Sequence, residues 1–199
     1  RTGFGCAGPR ATCGTSTRGV ERRCGIVGSV AAPGGPPPGI NVGRARNAGI
    51  RHRGPDDEGI FCDARALLGM RRLAIIDIAG GHQPMHTADG NVQLVFNGEI
   101  YHYRDLRAEL VARGHTFYSH SDSEVIVQAY EAWGDACFAR LNGMFALALW
   151  DARKQLLLLA RDRYGEQPLH IHLLDGTLAV DRATTPPRRL PRLSARPPH

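Results

Sequence analysis

The stretch Asn91-Val-Gln-Leu-Val-Phe-Asn-Gly-Glu-Ile-Tyr101 turns from strand to helix within a few residues. Residues 91–96 are a short strand-forming run that ends on the turn-prone pair Asn97-Gly98. From Ile100 onward the apolar residues fall at Tyr103, Leu106 and Leu110, which is the spacing of one helix face, and Gly114 suits the C-terminal cap. Ser121-Asp-Ser-Glu124 then has capping-box spacing ahead of Val125, Ile126 and Ala129, and predicts a second helix ending at Gly134. A short helix follows over 135–141. Two buried strands, 144–150 and 155–160, join at Asp151-Ala-Arg-Lys154, and a strand pair is expected within 168–180. Upstream, 24–30 reads as a strand and the Pro- and Gly-rich 31–39 as a loop. Residues 40–50 read as a short helix and 52–59 as a turn-rich segment. Strands are expected at 59–63, 66–70 and 72–78 before the break at Gly80-Gly81. Strands outnumber helices and come in adjacent groups. That pattern favours an α+β layered domain over a doubly wound sheet.

The chain has 199 residues and is 42% hydrophobic, enough for one domain with a core of its own. No run approaches the ~20 apolar residues of a membrane-spanning helix, so no membrane role is expected. The net charge of +6 is misleading as a guide to partners. Residues 1–23 carry five Arg and one Glu, residues 182–199 carry five Arg and no acid, and the middle of the chain is slightly acidic. A nucleic-acid face is therefore not expected. The five cysteines (6, 13, 24, 62 and 137) make no C-x-x-C pair or zinc pattern, which predicts reduced thiols in a cytoplasmic protein. His82 and His86 lie four apart, but with Gly and Pro nearby and no third ligand they predict no metal site. Three units are expected: 1–23, 24–180 and 181–199. The first is read as a disordered extension, a propeptide or a mistranslated segment. The last is read as a disordered or out-of-frame tail, since Arg outnumbers Lys 24 to 1 as in a GC-rich gene.

Five segments carry candidate chemistry. They are Cys24-Gly-Ile-Val-Gly28, Arg51-His-Arg-Gly-Pro-Asp-Asp-Glu-Gly59, Arg72-Leu-Ala-Ile-Ile-Asp77, Phe96-Asn-Gly-Glu-Ile-Tyr101 and Ser121-Asp-Ser-Glu124. With Gly143 to Asp151 and Ala160-Arg-Asp-Arg-Tyr-Gly-Glu-Gln-Pro-Leu169, they closely resemble the N-terminal glutaminase domain of asparagine synthetases, over about 24–179. That is a class II glutamine amidotransferase, an N-terminal-nucleophile hydrolase. The resemblance implies a four-layer αββα sandwich and hydrolysis of glutamine to glutamate and ammonia.

The resemblance also implies residue roles. Cys24 is the nucleophile, forming a γ-glutamyl thioester, with its own α-amino group as base. An amine of that kind titrates near 7.7–8.0. Asn97 and Gly98 form the oxyanion pair. Arg72 grips the substrate carboxylate, Glu99 and Asp122 lie near its ammonium, and Leu73, Ala74, Ile75 and Ile76 line the pocket. His52, Arg53 and Asp56 belong to a structural turn without a catalytic step.

Two departures bear on function. Residues 1–23 precede Cys24, and no Ser-Gly-Gly-x-Asp-Ser pyrophosphate loop is present. The expected partners are glutamine and a synthetase domain fused on the C-terminal side, and a homodimer stays open. No cofactor is expected here, with ATP and Mg needed only by the synthetase domain. The alternative reading is an inactive fragment or pseudoenzyme of the same family.

Overall fold

The computed structural model describes residues 24–52, 54–72, 81–174 and 177–181. The expected extension and tail, and most of the expected strand at 72–78, lie outside these residues. The elements run β1 (Gly25–Val30), α1 (Ile40–Gly49), β2 (Asp57–Cys62), β3 (Ala66–Arg72), β4 (Met85–His86) and β5 (Val92–Ile100). Then come α2 (Tyr103–Ala112), α3 (Asp122–Trp133), a 3-10 turn (Gly134–Ala136), α4 (Cys137–Arg140), β6 (Gly143–Asp151), β7 (Leu156–Arg161), β8 (His170–Leu174) and β9 (Thr177–Asp181). They form two antiparallel sheets, ordered β2-β3-β1-β9-β8 and β4-β5-β6-β7.

Strand periodicity assembles the layers. In β6, Ala146, Ala148 and Trp150 point one way and Phe145, Leu147 and Leu149 the other, and all six are buried. The first set meets Ile26, Ala66, Leu68, Met70 and Val95 in a core between the sheets. The second set packs with Leu94, Phe96, Leu106, Leu110, Val125 and Ile126 beneath α2 and α3. On the far side, α1 lies against the first sheet, where Val27 packs on Ile50. Asn47 of α1 donates to the Met70 carbonyl at 3.3 Å. The order is therefore α1, sheet, sheet, α2/α3, the expected αββα sandwich.

Local signals explain most boundaries. The Ser121 hydroxyl accepts from the Ser123 N–H and caps α3. Gly134 ends α3 at φ 57°. The capping-box expectation needs one correction. Glu124 does not reach back to Ser121. Its carboxylate accepts from the N–H of Tyr118 (2.8 Å), the N–H of Ser119 (2.7 Å) and the Ser119 hydroxyl (2.6 Å), and the Ser121 N–H goes to Ser119 Oγ instead. The loop before α3 turns its donors inward, and a fully buried Glu is the nearest acceptor that satisfies them. A second correction concerns β3, which runs unbroken through Arg72 because it pairs with β1 on one side and β2 on the other.

These two acceptors should differ in stability. Ser121→Ala should cost about 1 kcal/mol, the usual value of a helix cap. Glu124→Ala should cost more, because it strands the buried N–H and hydroxyl of Ser119, each worth of order 1–3 kcal/mol before relaxation, and frees the part-buried Tyr118 N–H as well. Urea midpoints of the two variants check the ranking, and equal midpoints contradict it.

Candidate active site

Cys24 lies just before β1, half-buried against the core between the sheets. Alternation puts its side chain on the same face as Ile26. Arg72, the last residue of β3, shares its face with Leu68 and Met70 and is buried, only 6% exposed. Since Gly25 pairs with Arg71, Cys24 and Arg72 come at the same end of the β1–β3 ladder. The turn before β2 braces that end. The Asp56 N–H donates to the Arg72 carbonyl at 3.2 Å, and Gly54 lies so close to the Arg71 carbonyl that a Cβ there would collide with it. This gives the 52–59 segment the structural role expected of it, with the His52 and Asp56 side chains exposed. Arg53 is outside the described residues.

Asn97 continues the inter-sheet face of β5 beyond Val95 and is buried. Its Nδ2 donates to Gln167 Oε1 at 3.0 Å. Gly98 has φ 150° and sits against β6, where a Cβ would collide with the Met144 carbonyl. Only glycine fits this position without pushing the two strands apart. Gly98 and Glu99 are both exposed, so the backbone here is open to a ligand. Cys24 and Arg72 thus stand at one end of β1 and β3, Asn97 lies on the inter-sheet face of β5, and these three strands touch one another.

Asp122, the first residue of α3, is buried and accepts from the Ile100 N–H at 3.1 Å. Burial pushes its pKa up from the usual carboxylate value. The N–H of Ile100 pulls the other way, and the negative charge of Glu99 pushes up again. A carboxylate held unfavourably in its charged form, with a second one beside it, is a place where a cation would bring relief. The other expected site residues, Leu73, Ala74, Ile75 and Ile76, lie outside the described residues.

The remaining candidates have other uses. Burial pushes the Cys137 thiol up to about 12, and burial together with the charge of Asp63 raises Cys62, so both stay protonated at neutral pH. His82 pairs with Asp57 at 2.7 Å, while His86 turns its Nδ1 to the Thr87 carbonyl. Among the described residues no group of three or more His, Cys, Asp or Glu side chains is placed to hold a metal. Nor is any helix long and apolar enough to cross a membrane. Sequence reasoning missed Gln167 and Asp162. Both stand in the quoted segment 160–169, but neither residue type signals a link to Asn97 seventy positions away.

A family model of the glutamine amidotransferase domain matches residues 23–184. The chain belongs to this family. It is 48% identical over 121 residues to asparagine synthetase [glutamine-hydrolyzing] 3 of Bacillus subtilis, a match covering 60% of this chain and 20% of that one. It is 42% identical over 173 residues to a putative asparagine synthetase [glutamine-hydrolyzing] of Mycobacterium tuberculosis, covering 79% and 26%. The chain thus spans about a fifth to a quarter of the length of these curated relatives. Among solved structures, glutamine phosphoribosylpyrophosphate amidotransferase from B. subtilis, complexed with ADP and GMP, has a TM-score of 0.67. It is 18% identical, and the match covers 80% of this chain and 42% of that one. At that identity the likeness is one of fold, and it agrees with the αββα layering of this amidotransferase domain.

The Asp122 environment makes a signed prediction. Its folded pKa lies above the unfolded value near 3.9. Between the two, the native state binds more protons than the unfolded state, so its stability contribution falls as pH rises through that window. Asp122→Asn keeps an oxygen for the Ile100 N–H and removes the buried charge. Urea unfolding of the ligand-free protein should show the variant gaining on the parent as pH rises from 4 to 7. A variant that loses ground over that range contradicts this account.

Proposed function

We propose that this domain hydrolyses the side-chain amide of glutamine through a γ-glutamyl thioester on Cys24. The reading is supported chiefly by a thiol and a buried guanidinium at one end of the β1–β3 ladder and a buried primary amide on the inter-sheet face of the adjoining strand β5, in a chain of the amidotransferase family. The Cys24 thiolate adds to the amide carbon. The oxygen of the tetrahedral adduct gains negative charge, which the Asn97 side-chain N–H and the Gly98 backbone N–H stabilise. The C–N bond breaks, and the nitrogen leaves as ammonia with the proton first taken from the thiol. Water then cleaves the thioester to give glutamate. Arg72 offers a planar fork for the substrate carboxylate, and Asp122 with Glu99 accepts its ammonium, which relieves the two carboxylates of each other.

The ammonia is passed to an ATP-dependent amidating domain; the longer relatives are named as glutamine-hydrolysing asparagine synthetases. ATP and Mg serve that domain. The step that carries the proton needs a base, and the α-amine of Cys24 is the one at hand. With Arg23 attached, that nitrogen is an amide with no usable lone pair. This favours a second reading, a folded remnant without turnover, for any form in which the Arg23–Cys24 bond is intact.

Release of the Cys24 amine separates the two readings. A version beginning at Cys24 after a removable Met should turn over glutamine at least ~10²-fold faster than the full chain, the usual worth of a general base. Intact mass confirms each start. In the trimmed version Cys24→Ala should abolish glutamate release, while Cys62→Ala and Cys137→Ala should not. No activity in the trimmed version would support the remnant, and equal activity in both would remove the amine from the mechanism.

Arg72→Lys should raise KM for glutamine about tenfold or more with little change in kcat, since an ammonium cannot reproduce a bidentate contact. An unchanged KM in saturation kinetics would show that Arg72 does not touch substrate.

A further inference from the structure

We propose that Gln167, held in place by Asp162, is a positioning residue that fixes which edge of the Asn97 side-chain amide faces the reacting oxygen. This rests on the glutaminase reading above. A primary amide has two unlike edges, an oxygen that only accepts and a nitrogen that carries two hydrogens. Its terminal torsion is soft and nearly two-fold, so an asparagine without partners turns either edge outward at little cost. For Asn97 the two edges are not equivalent. The nitrogen edge stabilises an oxyanion, and the oxygen edge would place lone pairs against it.

Gln167 breaks this symmetry. Its Oε1 accepts from Asn97 Nδ2 at 3.0 Å, and both residues are buried, at 1% and 3% exposure. A carbonyl oxygen can face only the nitrogen edge. It takes one of the two hydrogens and leaves the other N–H for the substrate. While Gln167 keeps its oxygen turned inward, a flipped Asn97 would set two carbonyl oxygens against each other in a buried site, which carries the full cost of an unsatisfied contact.

The backbone at Gln167, from which its side chain reaches Asn97, is held by a single carboxylate. Asp162 Oδ2 accepts from the N–H of Gln167 at 3.1 Å and of Phe145 at 3.2 Å. Its Oδ1 accepts from the N–H of Tyr164 and Glu166, each at 3.0 Å. Burial alone would push Asp162 up, but these four donors outweigh it and hold the pKa below the usual value. Phe145 is the register partner of Gly98. The same carboxylate thus anchors the backbone of Gln167, the partner of Asn97, and of Phe145, which lies opposite Gly98.

The test uses the version that begins at Cys24. Gln167→Met keeps length and volume but offers only a weak acceptor. It should lower kcat about 10–100-fold, less than the 10²–10³ typical of deleting an oxyanion donor, with KM within about twofold. Placed on top of Asn97→Ala, Gln167→Met should cost nothing further, because it acts through Asn97. A merely structural role predicts additive losses. A second readout is independent of turnover. The Asn97 side-chain amide pair in a nitrogen–proton NMR spectrum, identified by its loss in Asn97→Ala, should move in Gln167→Met. It should stay near its original position in Gln167→Glu, which retains an acceptor oxygen. An unmoved pair in Gln167→Met, or additive losses in the double variant, overturns the positioning role. If the parent shows no glutaminase activity, the function above fails while the NMR result still decides this proposal.

Discussion

Phe145, Leu147 and Leu149 face one way along β6 while Ala146, Ala148 and Trp150 face the other, and every one is buried. A strand covered on both sides has no face left for chemistry. This constraint governs the whole sandwich, because β3 and β5 are in nearly the same position between their neighbours. Polar side chains are most easily placed where the apolar layers run out. Arg72 closes β3, Asn97 stands where β5 leaves the apolar layer, and Cys24 precedes β1. The candidate site is thus where the packing leaves room for it, and the two sheets fix its geometry more rigidly than loops would.

The buried carboxylates show how the domain separates structure from candidate chemistry. Asp162 and Glu124 are each enclosed by backbone and hydroxyl donors, and Asp151 receives the Tyr130 hydroxyl at 3.0 Å with Arg153 and Lys154 nearby. The pKa of Asp151 falls because the Tyr130 hydroxyl, the backbone N–H groups of Lys154 and Arg153 and the Arg153 charge together outweigh burial. Such groups hold turns and ladders together and gain nothing from a ligand. Asp122 differs in sign. Its donors do not compensate its burial, and Glu99 makes matters worse. A destabilised charge that persists in a fold is a common mark of a binding site, where the ligand supplies what the protein withholds.

Much of this was legible because long elements impose strict periods. The start of β5, α2, the cap at Ser121, the stop at Gly134 and the β6–β7 hairpin follow from spacing alone, but β5 does not turn at Asn97-Gly98 as expected and runs on to Ile100, because its ladder to β6 continues through those residues. The helix α1 was less visible. Its sequence Ile40-Asn-Val-Gly-Arg-Ala-Arg-Asn-Ala-Gly49 has no clear apolar face, and Ile40 and Val42 are exposed. It docks instead through Gly43, where a Cβ would collide with Leu67, and through Asn47, which bonds a strand carbonyl. Close approach leaves no hydrophobic signature. The two-residue strand β4 is too short to show a period at all. The site residues were reached through resemblance, since Arg72 or Asn97 in isolation looks like any surface polar group. Gln167 escaped because its partner is brought to it by the packing of β5 and β6 and by nothing near it in sequence.

The placement of Cys24 has a consequence for control. The proposed nucleophile stands just before β1, so whatever precedes it is bonded to the nitrogen that the proposed mechanism needs as a base. Attachment of Arg23 therefore acts on chemistry before it acts on shape. It converts an amine that titrates near neutrality into a planar amide, without disturbing a single strand pairing of β1, which begins only at Gly25. The fold and the activity are thereby separable. The same sandwich can form around a silent Cys24, and one hydrolysed peptide bond, with no rearrangement of the sheets, would supply the missing base.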